Sequence, residues 1–178
     1  EVVNELKLKA SFPVRYIKQP NGGKHSAFNR AIEEAISEWF VCVDSDDPLV
    51  PDAIKNMDVC CSMVSESQGG FAGIFVTKQG KPLGRLLPRD IESDTIEIRD
   101  QMGYKEDRPE VYKTVLLKKY RFPVFPNEKF VPEAEIFDKL TLEHPLLYTN
   151  FPIQEKEYLA GEQTTKIIQI RINSINGT

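Results

Sequence analysis

The stretch "YIKQPNGGKHSAFNRAIEEAISEWFVCVDSDDPLVPDAI", residues 16–54, decides how this chain is read. Its middle, 25–39, carries Ala27, Phe28, Ala31, Ile32, Ala35, Ile36 and Trp39 at steps of three and four, which predicts an amphipathic helix. "FVCVD" (40–44) follows, and four consecutive apolar residues predict a fully buried strand. Upstream, "VRYIKQ" (14–19) alternates like a short strand, and "PNGG" (20–23) is a turn. Strand, turn, helix and strand in that order predict an α/β sheet with parallel strands.

Three carboxylates, Asp44, Asp46 and Asp47, arrive at the end of the second strand. In open α/β sheets, ligands bind at the carboxyl ends of strands. Clustered carboxylates repel one another unless a cation or hydrogen-bond donors compensate. A hard divalent ion held jointly with a substrate's phosphates answers that need. The plainer reading is that Asp46 and Asp47 cap the next helix or line a polar turn before Pro48. Three rival motifs are tested by position. An EF-hand loop from Asp44 requires Gly and Glu where Leu49 and Lys55 stand. A Walker A loop requires Gly at Lys18 and a hydroxyl at His25. A phosphatase of the haloacid dehalogenase type requires a hydroxyl or valine where Pro48 stands.

Further along, 51–65 reads as a helix with Pro51 in its first turn. "GGFAGIFVTKQGKPLG" reads as a strand, a turn at Gln79-Gly80 and a second extended piece. Residues 90–102 read as helical, and "EVYKTVLLKKY" as extended and then a short helix. "FPVFPNEKF" is a proline-broken loop, and "PEAEIFDKLTLE" a helix. "PLLYTN" and "IQEKEYL" read as late strands, and the tail from 164 as helix or, at "KIIQIRI", strand. No repeat or low-complexity segment divides the 178 residues, so a single domain over 1–178 is expected.

The 40% hydrophobic and 28% charged residues are those of a globular protein, and a net charge of −4 argues against a nucleic-acid partner held by bulk charge. No apolar run is long enough to span a bilayer, which leaves peripheral membrane association open. Cys42, Cys60 and Cys61 are odd in number, sit among apolar residues and lack CxxC spacing. They read as reduced core or near-core thiols, and a cytoplasmic location is expected.

The 16–54 segment as a whole resembles the central part of family-2 glycosyltransferases with the GT-A fold. The N-G-G-K loop, a helix carrying A-x-N, a buried strand, then D-x-D-D and "PDA" occur in the family's order and spacing. "KQGKPLGRLLP", "YKTVLLKKYRFPVFPNEKFVPEAEIFDKL" and "EYLAGEQTT" resemble a bacterial subgroup concerned with surface polysaccharide or glycolipid assembly. The resemblance implies a mixed sheet flanked by helices and an inverting transfer from a nucleotide-diphospho-sugar to a saccharide or lipid-linked acceptor. It implies Mn²⁺ or Mg²⁺ as cofactor, and a UDP-sugar is the commonest donor. Asp44 would lie by the ribose or metal, and Asp46 and Asp47 would hold the ion. Asn21, Gly22, Gly23 and Lys24 would cradle the donor, and Asn29 would brace the loop.

An inverting displacement needs a carboxylate base. Glu133 aligns with the family's Glu-Asp pair, although Pro132-Glu133 replaces it, and Glu135 and Glu128 compete. The Q-x-x-R-W signature is absent, which favours transfer of one sugar at a time. The family's opening strands, ending in P-x-Y-N and D-D-G-S, are also absent, and "EVVNELKLKA" reads as the tail of the helix after them. The fold is therefore expected to be truncated at its N-terminus, with open strand edges that favour a homo-oligomer. The site would lie at the inner face of the membrane. The alternative is a catalytically incomplete glycosyltransferase fragment that serves as a binding or scaffold domain.

Overall fold

The computed structural model describes residues 2–157 and 170–177. Helix α1 (Val2–Lys9) precedes α2 (Lys24–Glu34), strand β1 (Trp39–Val41), α3 (Ala53–Met63) and β2 (Gly70–Val76). Strand β3 (Ile91–Ser93), a π-helical turn (Glu97–Gln101), β4 (Glu110–Lys113) and α4 (Thr114–Leu117) follow, then α5 (Ala134–Glu143) and β5 (Leu146–Glu155).

The sheet runs β1-β4-β2-β5-β3. β2 and β5 pair in parallel, and β4 pairs antiparallel with both β1 and β2. β3 pairs antiparallel with β5. Thus β1, β2 and β5 point one way and β3 and β4 the other, the mixed sheet that was expected. Gly73 sits at a register shift between β2 and β5, where a Cβ would crowd Ile153. Arg108 braces this irregularity by donating to the carbonyls of Gly73 (3.1 Å) and Thr149 (2.8 Å).

Alternation along the strands feeds two cores. One face gathers Phe71, Val111 and Ile153 against Met57 and Cys60 of α3. The other gathers Ala72, Tyr112, Leu146 and Tyr148 against Phe28 and Ile32 of α2 and Ile136, Phe137 and Leu140 of α5. Phe28 is the hub of this second face. Its ring lies 5.4 Å from Phe40, 5.5 Å from Phe122 and 5.7 Å from Phe137, and Phe137 stacks on Tyr112 at 4.8 Å. Burial of several aromatic rings, each contributing about 2 kcal/mol or more, fixes α2 and α5 over the sheet.

Several expectations are corrected. Residues 14–19 form no strand; Tyr16 and Ile17 are exposed, and no ladder partner meets them among the described residues. The amphipathic helix stops at Glu34 rather than reaching Trp39. Ala35 turns extended, Trp39 is taken by pairing with Lys113, and Ile36 is left 86% exposed. β1 is shorter than "FVCVD" and only half-buried, with Cys42 and Val43 exposed, because it pairs on one side alone among the described strands. Cys42 is therefore not a core thiol, whereas Cys60 is buried and Cys61 half-buried, and all three are free.

Residues 90–102 begin as β3 before coiling. The two late strands are one, β5. The tail expectation falls largely on 164–169, outside the described residues; 170–172 are helical. The helices at α3 and α5, the strand-then-helix at 110–117 and the proline-broken loop are as expected. No described helix is long and apolar enough to cross a membrane.

Candidate active site

The carboxyl ends of β1, β2 and β5, the start of β4 and the N-termini of α2 and α5 enclose a cleft of about 440 Å³. This is where an open α/β sheet offers a ligand site.

Its rim begins at the glycine turn. Asn21 Oδ1 accepts the backbone N–H of Gly23 at 3.1 Å, closing the turn locally. Gly23 has φ +89°, and a Cβ there would overlap the Lys129 carbonyl, so only glycine fits. A Cβ on Gly22 would press on the Ser26 side chain. The turn delivers Lys24 as the first residue of α2. Lys24 Nζ lies 2.8 Å from Asp44 Oδ2 and 2.8 Å from Glu133 Oε1. Burial opposes its charge, but hydrogen bonds and attraction from the two carboxylates outweigh that and hold the ammonium well above the usual lysine range.

The acidic turn is tied down from below. Asp47 N–H donates to Asp44 O (3.2 Å), Gln154 Nε2 to Cys42 O (3.1 Å) and the Glu155 N–H to Pro48 O (2.8 Å). The end of β5 thus positions the end of β1. Asp44 and Asp47 line the cleft, whereas Asp46 is exposed at the turn's tip, outside the lining. Burial raises the Asp47 carboxyl, Lys156 opposes the rise, and Asp46 and Asp44 add to it. The capping reading does not hold: α3 is preceded by Asp52, which makes no side-chain cap bond.

Among the described residues no group of three or more His, Cys, Asp or Glu side chains is gathered to hold a metal. A Mg²⁺- or Mn²⁺-type ion needs only one or two carboxylates when substrate phosphates complete its shell. The carboxylate oxygens of Asp44, exposed and paired with Lys24, and of half-buried Asp47 are of the kind such an ion takes.

Of the candidate bases, Glu133 lines the cleft at the N-terminus of α5. Glu135 pairs with Lys139 one turn on, and Glu128 accepts hydrogen bonds from Asn176 and Gly177; neither lines the cleft. Asn29 does brace a loop, but a distant one. It donates to Phe122 O (2.9 Å) and accepts from Phe122 N (3.0 Å), fastening α2 to the proline-broken segment.

The floor was not singled out from the sequence. Glu110 and Tyr112 of β4 and Tyr148 of β5 lie there, with Asp138 of α5 beside Thr95 and Arg99. Tyr112 O–H donates to Glu110 Oε2 at 2.6 Å. Burial, only partly offset by that bond, pushes the Glu110 carboxyl up to about 7, and Glu133, Asp138 and Asp107 add to the rise. The one available signal was the i, i+2 spacing of Glu110 and Tyr112 in a strand, which puts both on one face.

Residues 1–57 match the model of glycosyl transferase family 2. No curated protein matches the chain. Among solved structures, that of S. aureus TarS 1-349 is similar at a TM-score of 0.63 and 19% identity, over 86% of this chain and 46% of that one. TarS 1-349 in complex with UDP-GlcNAc gives 0.62 and 17%, over 99% and 54%. Longer TarS gives 0.61 and 17%, over 98% and 31%. The chain thus spans about half the length, or less, of the structures it matches. The first third of the chain thus resembles glycosyl transferase family 2, and the fold as a whole is the one these TarS structures share.

Proposed function

We propose that the chain carries the catalytic cleft of an inverting, nucleotide-sugar-dependent glycosyltransferase. It would use a UDP-sugar and a divalent ion, and pass one sugar to a saccharide or lipid-linked acceptor at the cytoplasmic face of a membrane. The observation that carries the reading is the position of Lys24. A single ammonium bridges Asp44, at the end of β1, and Glu133, at the start of α5, each at 2.8 Å. Lys24 and Asp44, assigned to the donor, therefore share one cleft with Glu133, assigned to proton transfer, while Asn21, Gly22 and Gly23 lie outside its lining. The UDP-GlcNAc complex of a TarS structure with this fold supports the choice of donor.

In this mechanism Lys24 turns from the two carboxylates to the incoming diphosphate, whose negative charge competes for it. Glu133, released, accepts the proton of the acceptor hydroxyl. The acceptor oxygen attacks the anomeric carbon from the face opposite the nucleotide, and the diphosphate leaves with the electrons of the broken bond. An ion held by Asp44 and Asp47, with Asp46 at the tip of the same turn, would supply Lewis-acid neutralisation of the departing charge.

A second reading, a domain that keeps the fold and lacks the chemistry, draws on the exposure of Asp46 outside the cleft lining. Calorimetric titration of UDP and GDP, with and without Mn²⁺, into the chain and into Asp47→Ala separates the two. Metal-dependent UDP binding that is lost in the variant supports the enzyme. A folded sample that binds neither nucleotide supports the second reading.

A further inference from the structure

The floor of the cleft contains a polar pair for which the rim chemistry has no use. Ala72 of β2 pairs with Glu110 on one side and with Tyr148 on the other, so the three form one row on one face of the sheet. Only a methyl group stands between the carboxylate and the phenol. Tyr148 is 2% exposed, lines the cleft, and its hydroxyl has no hydrogen-bond partner. A buried hydroxyl without a partner carries a desolvation cost that native structures rarely leave uncompensated. Glu110 receives one hydrogen bond, on Oε2 from Tyr112, and its Oε1 accepts none among the described residues. The row therefore offers an unused donor, buried as it stands, beside an unused acceptor, on two residues that both line the cleft.

A group that donates and accepts at once satisfies both. A sugar ring hydroxyl is such a group, whereas a phosphate, which only accepts, would be repelled by Glu110. We propose that Glu110 and Tyr148 form the subsite that recognises a ring hydroxyl of the donor sugar, with Tyr112 holding the carboxylate in place. This inference rests on the nucleotide-sugar reading above and adds to it the residues that distinguish the sugar from the bare nucleotide. The carboxyl, pushed up to about 7 by burial with a single donor to stabilise it, would gain a second donor from the ligand.

The test compares UDP and UDP-GlcNAc, each with Mn²⁺, by calorimetry on the wild type, Tyr148→Phe and Glu110→Gln, together with thermal melts. The wild type is expected to bind UDP-GlcNAc more tightly than UDP. Tyr148→Phe should leave UDP affinity unchanged, weaken UDP-GlcNAc about five- to tenfold, the worth of one hydrogen bond, and melt at the same temperature or higher. Glu110→Gln should likewise act on UDP-GlcNAc alone. A phenol with a purely structural role would lower the melting temperature when removed and spare the sugar increment, which would overturn the inference while UDP binding left the nucleotide reading standing. Failure of the wild type to bind UDP at all would overturn both.

Discussion

At the rim of the cleft, Lys24 is shared between Asp44 and Glu133, and about half of each side chain is exposed (53%, 47% and 49%). On the floor, Glu110 has one hydroxyl for company and no ion pair among the described residues, and Tyr148 beside it has no partner. The rim's charges are compensated and wet, so they contribute little to folding and can be exchanged for a ligand's charges. The floor's polar groups are under-compensated, with Tyr148 buried and Glu110 half-buried, so they cost stability until something binds. On the proposed reading, the adaptable rim would grip phosphate and the floor would read a neutral sugar.

The largest expected effect comes from breaking the rim without touching the floor. Gly23→Ala puts a Cβ into the Lys129 carbonyl at a positive φ. It should cost about 2–4 kcal/mol in urea unfolding and abolish UDP binding. A loss below about 1 kcal/mol would show that the turn relaxes and that glycine is not required there.

The floor responds to pH. Glu110, at about 7 when folded against an ordinary 4.5, retains its proton while the unfolded chain has released it. Stability should therefore fall as pH rises from about 4.5 to about 7, by on the order of 3 kcal/mol, and level off above. The acidic groups facing it, Glu133 and Asp138 on α5 and Asp107 before β4, act in the same direction. Glu110→Gln should remove that slope in denaturant titrations run across the range; an unchanged slope would place its origin elsewhere.

Asn29→Ala removes both bonds to Phe122 and should cost about 1–2 kcal/mol in the same assay. Because Phe122 packs on Phe28 beneath the rim, UDP affinity should fall as well, while the floor's pH slope persists. The smallest effect on folding is expected of Lys24→Met. Exposed pairs contribute about 0–1 kcal/mol, so the melting temperature should barely move while UDP affinity drops sharply. A large loss of stability would mean that the rim is structural and the comparison with the floor wrong.

The same division explains what was legible in the sequence. Rim residues declare themselves locally. Asn21-Gly22-Gly23-Lys24 needs a special turn, and Asp44, Asp46 and Asp47 crowd charge at a strand's end, so spacing and resemblance marked them. Floor residues come from β4 and β5, which meet only through β2, and "PEVYK" and "PLLYT" read as ordinary strands. The failures in the fold have a similar source. Ile36 and Trp39 continue the helical spacing of α2, but the ladder between Trp39 and Lys113, 74 residues on, overrides it. Val14 to Gln19 alternates like a strand and lacks a ladder to join among the described residues.

On the proposed function, this cleft binds a nucleotide-diphospho-sugar through its acidic rim. Diffraction from crystals grown with Mn²⁺ and UDP-GlcNAc, recorded for manganese anomalous signal, tests it most directly. One peak is expected beside Asp44 and Asp47 with diphosphate density against it, Lys24 turned to the phosphates and the sugar over Glu110 and Tyr148. Bound nucleotide elsewhere, or a cleft in which Lys24 still bridges Asp44 and Glu133 under saturating ligand, would contradict it.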